Sequence, residues 1–330
     1  MLRRQDVGHR VVVRRIVGVS ADRPLFSDAL GELVDLTETD LTIATARGTV
    51  RVPLTEVHRA KRVPAARRPP AAGVIALELA ANEAWPAPVQ GRLGSWILRA
   101  AQNWTGRANS ALAVGDPDRT LEAAIDGVVE WYAARGQQAL INAPMPLAAP
   151  VNSALDDRGW TARPLTLVQT APVATVLDVI ERRTDLPTVM LADTPADDWY
   201  AMVAQYKPAQ HQGTLPEAAV RVLTGVPGAV FASVRDAGGE LLAVARGTVT
   251  GPDRWHGISL LQTAPHARRQ GLAQHVVRAV ADWARQRGAT RAYLQVEERN
   301  TAAVTLYGAM GFTTHHTYLT REEPARDRRR

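Results

Sequence analysis

Apolar runs and helix-spaced stretches alternate through the second half of the chain. An apolar run over residues 258–263 ends before Pro265, and residues 274–287 follow with the spacing of an amphipathic helix. Residues 291–296 read as a buried strand. Asn300, a residue type that caps helix amides well, opens a helix predicted over 301–310, which stops at Gly311 before Phe312 and another short strand. Nearer the start, strand-like runs at 10–17, 29–36, 40–44 and 48–53 are separated by turn residues, the spacing of a small barrel. Between these regions, 96–101 and 107–114 read as an antiparallel pair.

The C-terminal pattern has an earlier counterpart. Trp131, Arg135 and Gly136 recur as Trp283, Arg287 and Gly288, and Gly159-Trp160 recurs as Gly311-Phe312, all at an offset of 152 residues. A constant offset across helix, strand and helix indicates duplication of a whole unit, because chance matches drift. The copies differ in one loop. Arg268-Arg269-Gln270-Gly271-Leu272-Ala273 lies where a strand turns into a helix. There the first amides have no intrahelical partner, the dipole adds positive charge, and glycine lets an anion approach the backbone, as a pyrophosphate site requires. The counterpart, Gly115-Asp116-Pro117-Asp118-Arg119-Thr120, has no glycine at the Gly271 position and carries two carboxylates, which would repel a phosphate. Leu155 stands where the second copy has Tyr307. Only the second copy is expected to hold a diphosphate.

The loop resembles the acetyl-CoA loop, Gln/Arg-x-x-Gly-x-Gly/Ala, of the GCN5-related N-acetyltransferase (GNAT) superfamily, with Arg268, Gly271 and Ala273 at its defined positions. The order Asn300, Ala303, Leu306-Tyr307, Gly311-Phe312 resembles the second signature of that superfamily. Trp104-Thr105-Gly106-Arg107-Ala108-Asn109-Ser110 is similar to a stretch in actinobacterial tandem acetyltransferases with an N-terminal SH3-like barrel. That family includes proteins assigned as a short type of N-acetylglutamate synthase, the first step of arginine biosynthesis, and others labelled simply as acetyltransferases or protein acetyltransferases. The resemblance extends over the whole chain. It implies an α/β (α+β) protein: two tandem GNAT folds, each a mixed, mostly antiparallel sheet flanked by helices, after a small SH3-like β-barrel. The expected divisions are a barrel over 1–66, a degenerate GNAT-like domain without the CoA loop over 71–172, and a catalytic GNAT domain over 186–330, with a stiff proline-rich linker at 64–70.

The resemblance further implies acetyl transfer from acetyl-CoA to a primary amine, with no metal. Leu261 and Thr263 on a splayed strand offer amides to the pantetheine arm and the thioester oxygen, and Arg268, Arg269, Gln270, Gly271, Leu272 and Ala273 hold the diphosphate. Asn300 has two readings, cofactor contact and helix cap, of which the cap is preferred. Tyr307 is the candidate general acid, since a phenol pKa of roughly 10 lies near a thiol's roughly 8.5; its other reading is a core aromatic. For the base, His256 and Glu297 or Glu298 stand near the expected acceptor end, and each also reads as a solvated loop residue. An acidic acceptor needs cations, and Arg99, Arg107 and Arg246 are available. The acceptor is L-glutamate on the resemblance, or a protein lysine; a non-catalytic acetyl-CoA sensor or scaffold is the reading of another class. His315-His316 suggests a metal, but successive side chains on a strand point to opposite faces, so no site is expected.

Composition narrows the remainder. With 330 residues, 46% hydrophobic and 22% charged, the chain is globular and long enough for more than one core. The absence of cysteine excludes disulfides, thiolate metal sites and cysteine nucleophiles and fits a reducing compartment. No apolar run reaches the about 20 residues that cross a bilayer, and no signal-peptide core follows the first methionine, so a cytoplasmic location without membrane attachment is expected. The net charge of +6 is carried almost wholly by arginine. Its clusters at 59–68 and 326–330 read as linker and tail, and neither interleaves aromatics for stacking on bases, so nucleic acid is not an expected partner.

Overall fold

Alternation along the N-terminal strands puts Val11, Val13, Leu33, Leu41, Ile43 and Val52 on one buried face. The computed structural model describes residues 2–20, 23–45, 48–63, 69–205 and 215–325. The chain forms two compact units, Met1–Arg68 and Pro69–Arg330. The first is a five-stranded antiparallel sheet in the order Gly48–Pro53, Asp40–Thr45, Arg23–Leu36, Arg10–Ser20, Val57–Arg62. The last of these corrects the reading of 59–68 as linker alone: Arg59, Lys61 and Arg62 belong to a strand paired with Val11–Arg15. Its charge concealed it, because an edge strand exposes most of its side chains and needs no alternating apolar signal. Residues 64–68 and the 326–330 tail lie outside the described residues.

In the second unit one sheet runs through both halves. Its strands follow the order Val189–Ala192, Val230–Arg235, Leu241–Thr250, Trp255–Thr263, Arg291–Glu297, Thr166–Pro172, Thr313–Glu322, Leu140–Met145, Ala111–Leu112, Trp96–Ala100, Val89–Leu93. Thr166–Pro172, which closes the first half in sequence, is inserted between two strands of the second half. Thr313–Glu322, which closes the second, pairs in turn with Leu140–Met145 of the first. Each half therefore completes its sheet with the other's last strand.

The 152-residue offset also relates some of the elements. Helices Ala149–Asp157 and Thr301–Ala309 begin and end 152 residues apart. Arg135 lies 3.6 Å from the Trp131 ring centroid, and Arg287 lies 4.4 Å from that of Trp283, so the recurring Trp-x-x-x-Arg-Gly pattern makes the same cation–π contact twice. Residues 107–114 depart from the strand expectation. They begin with a 3₁₀ turn, Arg107–Asn109, and only Ala111–Leu112 are strand. The Asn109 side chain is the cause: its oxygen accepts from the amides of Ala101 and Asn103, while its amide donates to the carbonyls of Trp104 and Thr105, locking the loop into a turn.

Alternation also lapses at His315-His316. The register with Thr166–Pro172 slips between Val168↔His316 and Gln169↔Thr314, leaving His315 in a bulge. The two rings therefore touch, Nδ1 to Nδ1 at 2.9 Å, instead of facing apart, and His316 Nε2 meets buried Glu78 at 2.8 Å. Among the described residues no group of three or more His, Cys, Asp or Glu gathers as a metal site, and no helix is long and apolar enough to cross a membrane.

Because the last strands interlock, residues 69–330 are expected to unfold in one calorimetric transition, apart from any transition of residues 1–68. Val168 is fully buried on the inserted strand, and Val168→Asp is expected to lower that transition by about 3 kcal/mol or more; separate melting of the two halves would contradict this.

Candidate functional site

The site begins with a strand that leaves its neighbour. Trp255–Thr263 runs parallel to Arg291–Glu297 but pairs with it only at His256↔Ala292 and Gly257↔Tyr293. On its other side the register with Leu241–Thr250 slips between Arg246↔Ser259 and Val244↔Gln262, and Leu260 takes φ 55°, an uncommon value for a bulky residue. The bulge turns the strand, and its ladder with Arg291–Glu297 stops after Gly257, so the half-buried segment Ser259–Thr263, which includes Leu261 and Thr263, borders a wedge.

The strand runs into the loop that the sequence singled out. Gly271, at φ 88°, is the N-cap of Leu272–Gln286, and no side chain among the described residues caps the helix. A Cβ there would lie 3.0 Å from Arg183 Nη1, so the position is left-handed and also close to a guanidinium. Leu272 is buried and Ala273 half-buried, anchoring the first turn, while Arg268, Arg269 and Gln270 are exposed around it. Arg268 Nε donates to Thr263 O at 3.4 Å, and Gln270 Nε2 donates to His266 O at 3.4 Å, tying the loop to its own stem. The first half answers the same need internally. Thr120 caps Leu121–Ala133 by accepting from the Ala123 amide, and Asp116 accepts from the Asp118 amide. At Gly271 the helix start has no side-chain cap, as a diphosphate site requires, whereas at Thr120 a hydroxyl already takes the Ala123 amide. Asn300 is a cap: its Oδ1 accepts from the Ala303 amide at 3.2 Å.

Where the wedge opens lies a cavity of about 310 Å³ lined by Trp85, Arg107, Arg163, Thr166, Arg246, Ser259, Tyr293, Gln295, Glu297 and Tyr318, among others. Both halves and the inserted strand contribute to it. Of the residues picked from the sequence, Arg107, Arg246 and Glu297 come together here. Glu297 is exposed and pairs with Arg299 at 2.6 Å. Arg107 and Arg246 stand 5.7 and 5.6 Å from the Trp85 ring centroid. Arg163 is partly balanced by Glu322 at 3.1 Å.

The others lie elsewhere. Arg99 is buried away from the cavity and bonded to Ser110 and Asn82. His256 is fully buried, its Nδ1 against Thr248 O and its ring 6.2 Å from Trp283; it does not line the cavity. Burial pushes its pKa down to about 4, so it is neutral at pH 7. Tyr307 is half-buried on its helix with its ring 6.2 Å from Phe312, also outside the cavity lining, and burial pushes its hydroxyl up to about 12. The sequence reading missed Trp85, Arg163, Ser259, Tyr293, Gln295 and Tyr318. Part of that set was recoverable: Tyr293, Gln295 and Glu297 alternate with Leu294 and Val296, so period two already sorts them onto one face. Trp85 and Arg163 arrive by tertiary packing and had no local signal.

His256 supplies a pH prediction. Its folded pKa lies below the ordinary value near 6.5, so its contribution to stability is complete above about pH 6.5 and is lost as pH falls toward about 4. Thermal melts of the wild-type chain are expected to decline through that window, and His256→Asn should show a shallower decline whatever its absolute stability; identical slopes would refute the assignment.

The family described as "Probable histone acetyltransferase Rv0428c C-terminal" matches residues 71–320. The Probable histone acetyltransferase Rv0428c of Mycobacterium tuberculosis is 31% identical over 318 residues, covering 94% of this chain and 93% of that one. The Uncharacterized N-acetyltransferase YobR of Bacillus subtilis is 27% identical over 255 residues, 74% of this chain and 98% of its own. Among solved structures, a GCN5-related N-acetyltransferase from Kribbella flavida superposes with a TM-score of 0.59 at 17% identity, covering 79% of this chain and 98% of its own, a likeness of fold. The chain is an acyltransferase enzyme with N-acetyltransferase activity, a member of the Rv0428c C-terminal acetyltransferase family within the GNAT superfamily.

Proposed function

We propose that the enzyme transfers acetyl from acetyl-CoA to the primary amine of a small, carboxylate-bearing acceptor, and that this acceptor is L-glutamate. The observation that carries the reading is the arginine-walled cavity, with Arg107, Arg163 and Arg246 around the opening of the wedge. Three guanidiniums against the single carboxylate of Glu297 favour an anionic molecule over a cationic lysine side chain. A volume near 310 Å³ suits a small metabolite.

Acetyl-CoA supplies the activated acyl group. The helix start at Gly271 would receive its diphosphate, with Arg268 and Arg269 adding charge, and the splayed edge at Leu261 and Thr263 would face the pantetheine arm and polarise the thioester carbonyl. Glu297, exposed at the cavity, is the base we assign to the acceptor ammonium. Tyr307 remains the assigned proton donor to the departing sulfur, but its raised pKa weakens it as an acid, so its share of the acceleration is modest.

A second reading, acetylation of a protein lysine, is favoured by the histone-acetyltransferase name of the relative from M. tuberculosis. Release of CoA from acetyl-CoA, measured with glutamate, other amino acids, polyamines and a lysine peptide, separates the two. Glutamate is expected to give the highest kcat/KM. Turnover of the peptide alone would overturn the proposal, and no turnover with any amine would leave only a cofactor-binding scaffold. Gly271→Glu puts a side chain and a negative charge on the helix start and is expected to abolish acetyl-CoA binding. Tyr307→Phe should lower kcat by about tenfold to a hundredfold while leaving acetyl-CoA binding intact, and wild-type turnover would remove Tyr307 from the mechanism.

A further inference from the structure

Each half of the large sheet sets an arginine opposite a serine across a corresponding strand pair, and the two pairs are in different states. In the first half, Ile97↔Leu112 fixes the register and Arg99 stands against Ser110. Its Nε donates to Ser110 O at 2.8 Å, its Nη2 to Ser110 Oγ at 2.9 Å and its Nη1 to Asn82 Oδ1 at 3.3 Å. That pair is closed on itself and stands outside the cavity. In the second half Arg246 and Ser259 are direct partners across the strands, yet Arg246 Nη2 and Ser259 Oγ are both buried without a hydrogen-bond partner among the described residues, and both residues line the cavity.

The remaining arms of Arg246 show why it stays cationic without a carboxylate. Nε donates to Leu223 O at 2.8 Å and Nη1 to Ala84 O at 2.9 Å. These carbonyls sit at the C-terminal ends of helices Glu217–Thr224 and Ala71–Glu83, where the helix dipole favours positive charge. The side chain is 1% exposed. Burial lowers its pKa to about 10, which leaves it protonated at neutral pH. A desolvated guanidinium with one arm unpartnered among the described residues, held by two helix ends on a residue that lines the cavity, has the charge and the donor that an anion needs.

We infer that Arg246 Nη2 and Ser259 Oγ together seat a carboxylate of the acceptor, one donating to each of its oxygens, with Arg107, which also lies near the Trp85 ring, adding charge to the same wall. The inference rests on the reading that the acceptor is an acid, and it fixes which residues select it. Arg99 and Ser110 are the closed counterpart, so the half without the phosphate loop also lacks the carboxylate seat.

The test uses the full chain and a probe that cannot be acetylated. Calorimetric titration with glutarate is expected to show binding to the wild type, with its neutral diamide failing to bind. Ser259→Ala, a small change that spares the core, should weaken glutarate by about tenfold, since a hydrogen bond to a charged group is lost. Arg246→Lys should weaken it further because the fork is lost, and the same variants should raise KM for glutamate while leaving KM for acetyl-CoA unchanged. Arg99→Lys, an equally buried arginine, should reduce stability and leave glutarate affinity as in the wild type. No glutarate binding by the wild type, or unaltered affinity in both Ser259→Ala and Arg246→Lys, would overturn the assignment. If only a lysine peptide is acetylated while the variants lose glutarate as described, the glutamate reading falls and the carboxylate seat stands.

Discussion

The interlocked last strands are the constraint on which the second unit depends. Thr166 pairs with Tyr318, and these positions differ by the same 152 residues that relate the two halves. An antiparallel pair whose partners are equivalent positions marks a local two-fold relation between the halves. Both residues line the cavity, which therefore lies beside that relation and draws on both halves. Neither half can present this cavity alone, because each lacks the strand that the other supplies.

Desolvation then separates the two halves chemically. The equivalent helix starts differ in whether their amides are already used: Thr120 closes one, and Gly271 leaves the other available. A similar division separates the buried arginines. Arg99 uses each hydrogen-bonding nitrogen on neighbours, whereas Arg246 leaves Nη2 unpartnered among the described residues. Buried polar groups are normally satisfied, so unsatisfied ones that gather on one cavity wall indicate a ligand there.

The shape of the wedge depends on one bulge. With Leu260 at φ 55°, the strand turns away from Arg291–Glu297 and creates the wedge that a parallel pair would otherwise zip shut. The acidic and basic groups are less sharply tuned. Glu297 is exposed and paired with Arg299, and burial raises the Tyr307 hydroxyl, so the proposed mechanism leans on binding and orientation more than on proton transfer.

Period, spacing and glycine placement determined much from the sequence alone. The strand–loop–helix at Gly271, the Asn300 cap and four of the five N-terminal strands were legible because each is set by contacts within a few residues or by a short alternating pattern. Charge hid the fifth strand, and the Asn109 side chain replaced a strand with a turn at residues 107–109. Tertiary structure alone decided which half owns residues 166–172, that His256 faces the core, and that Arg246 is open while Arg99 is closed. These outcomes depend on sheet order, on register and on which helix ends arrive at a buried guanidinium. Such long-range contacts leave no periodic trace in the chain, since a buried arginine and a solvated one are spelled with the same letter.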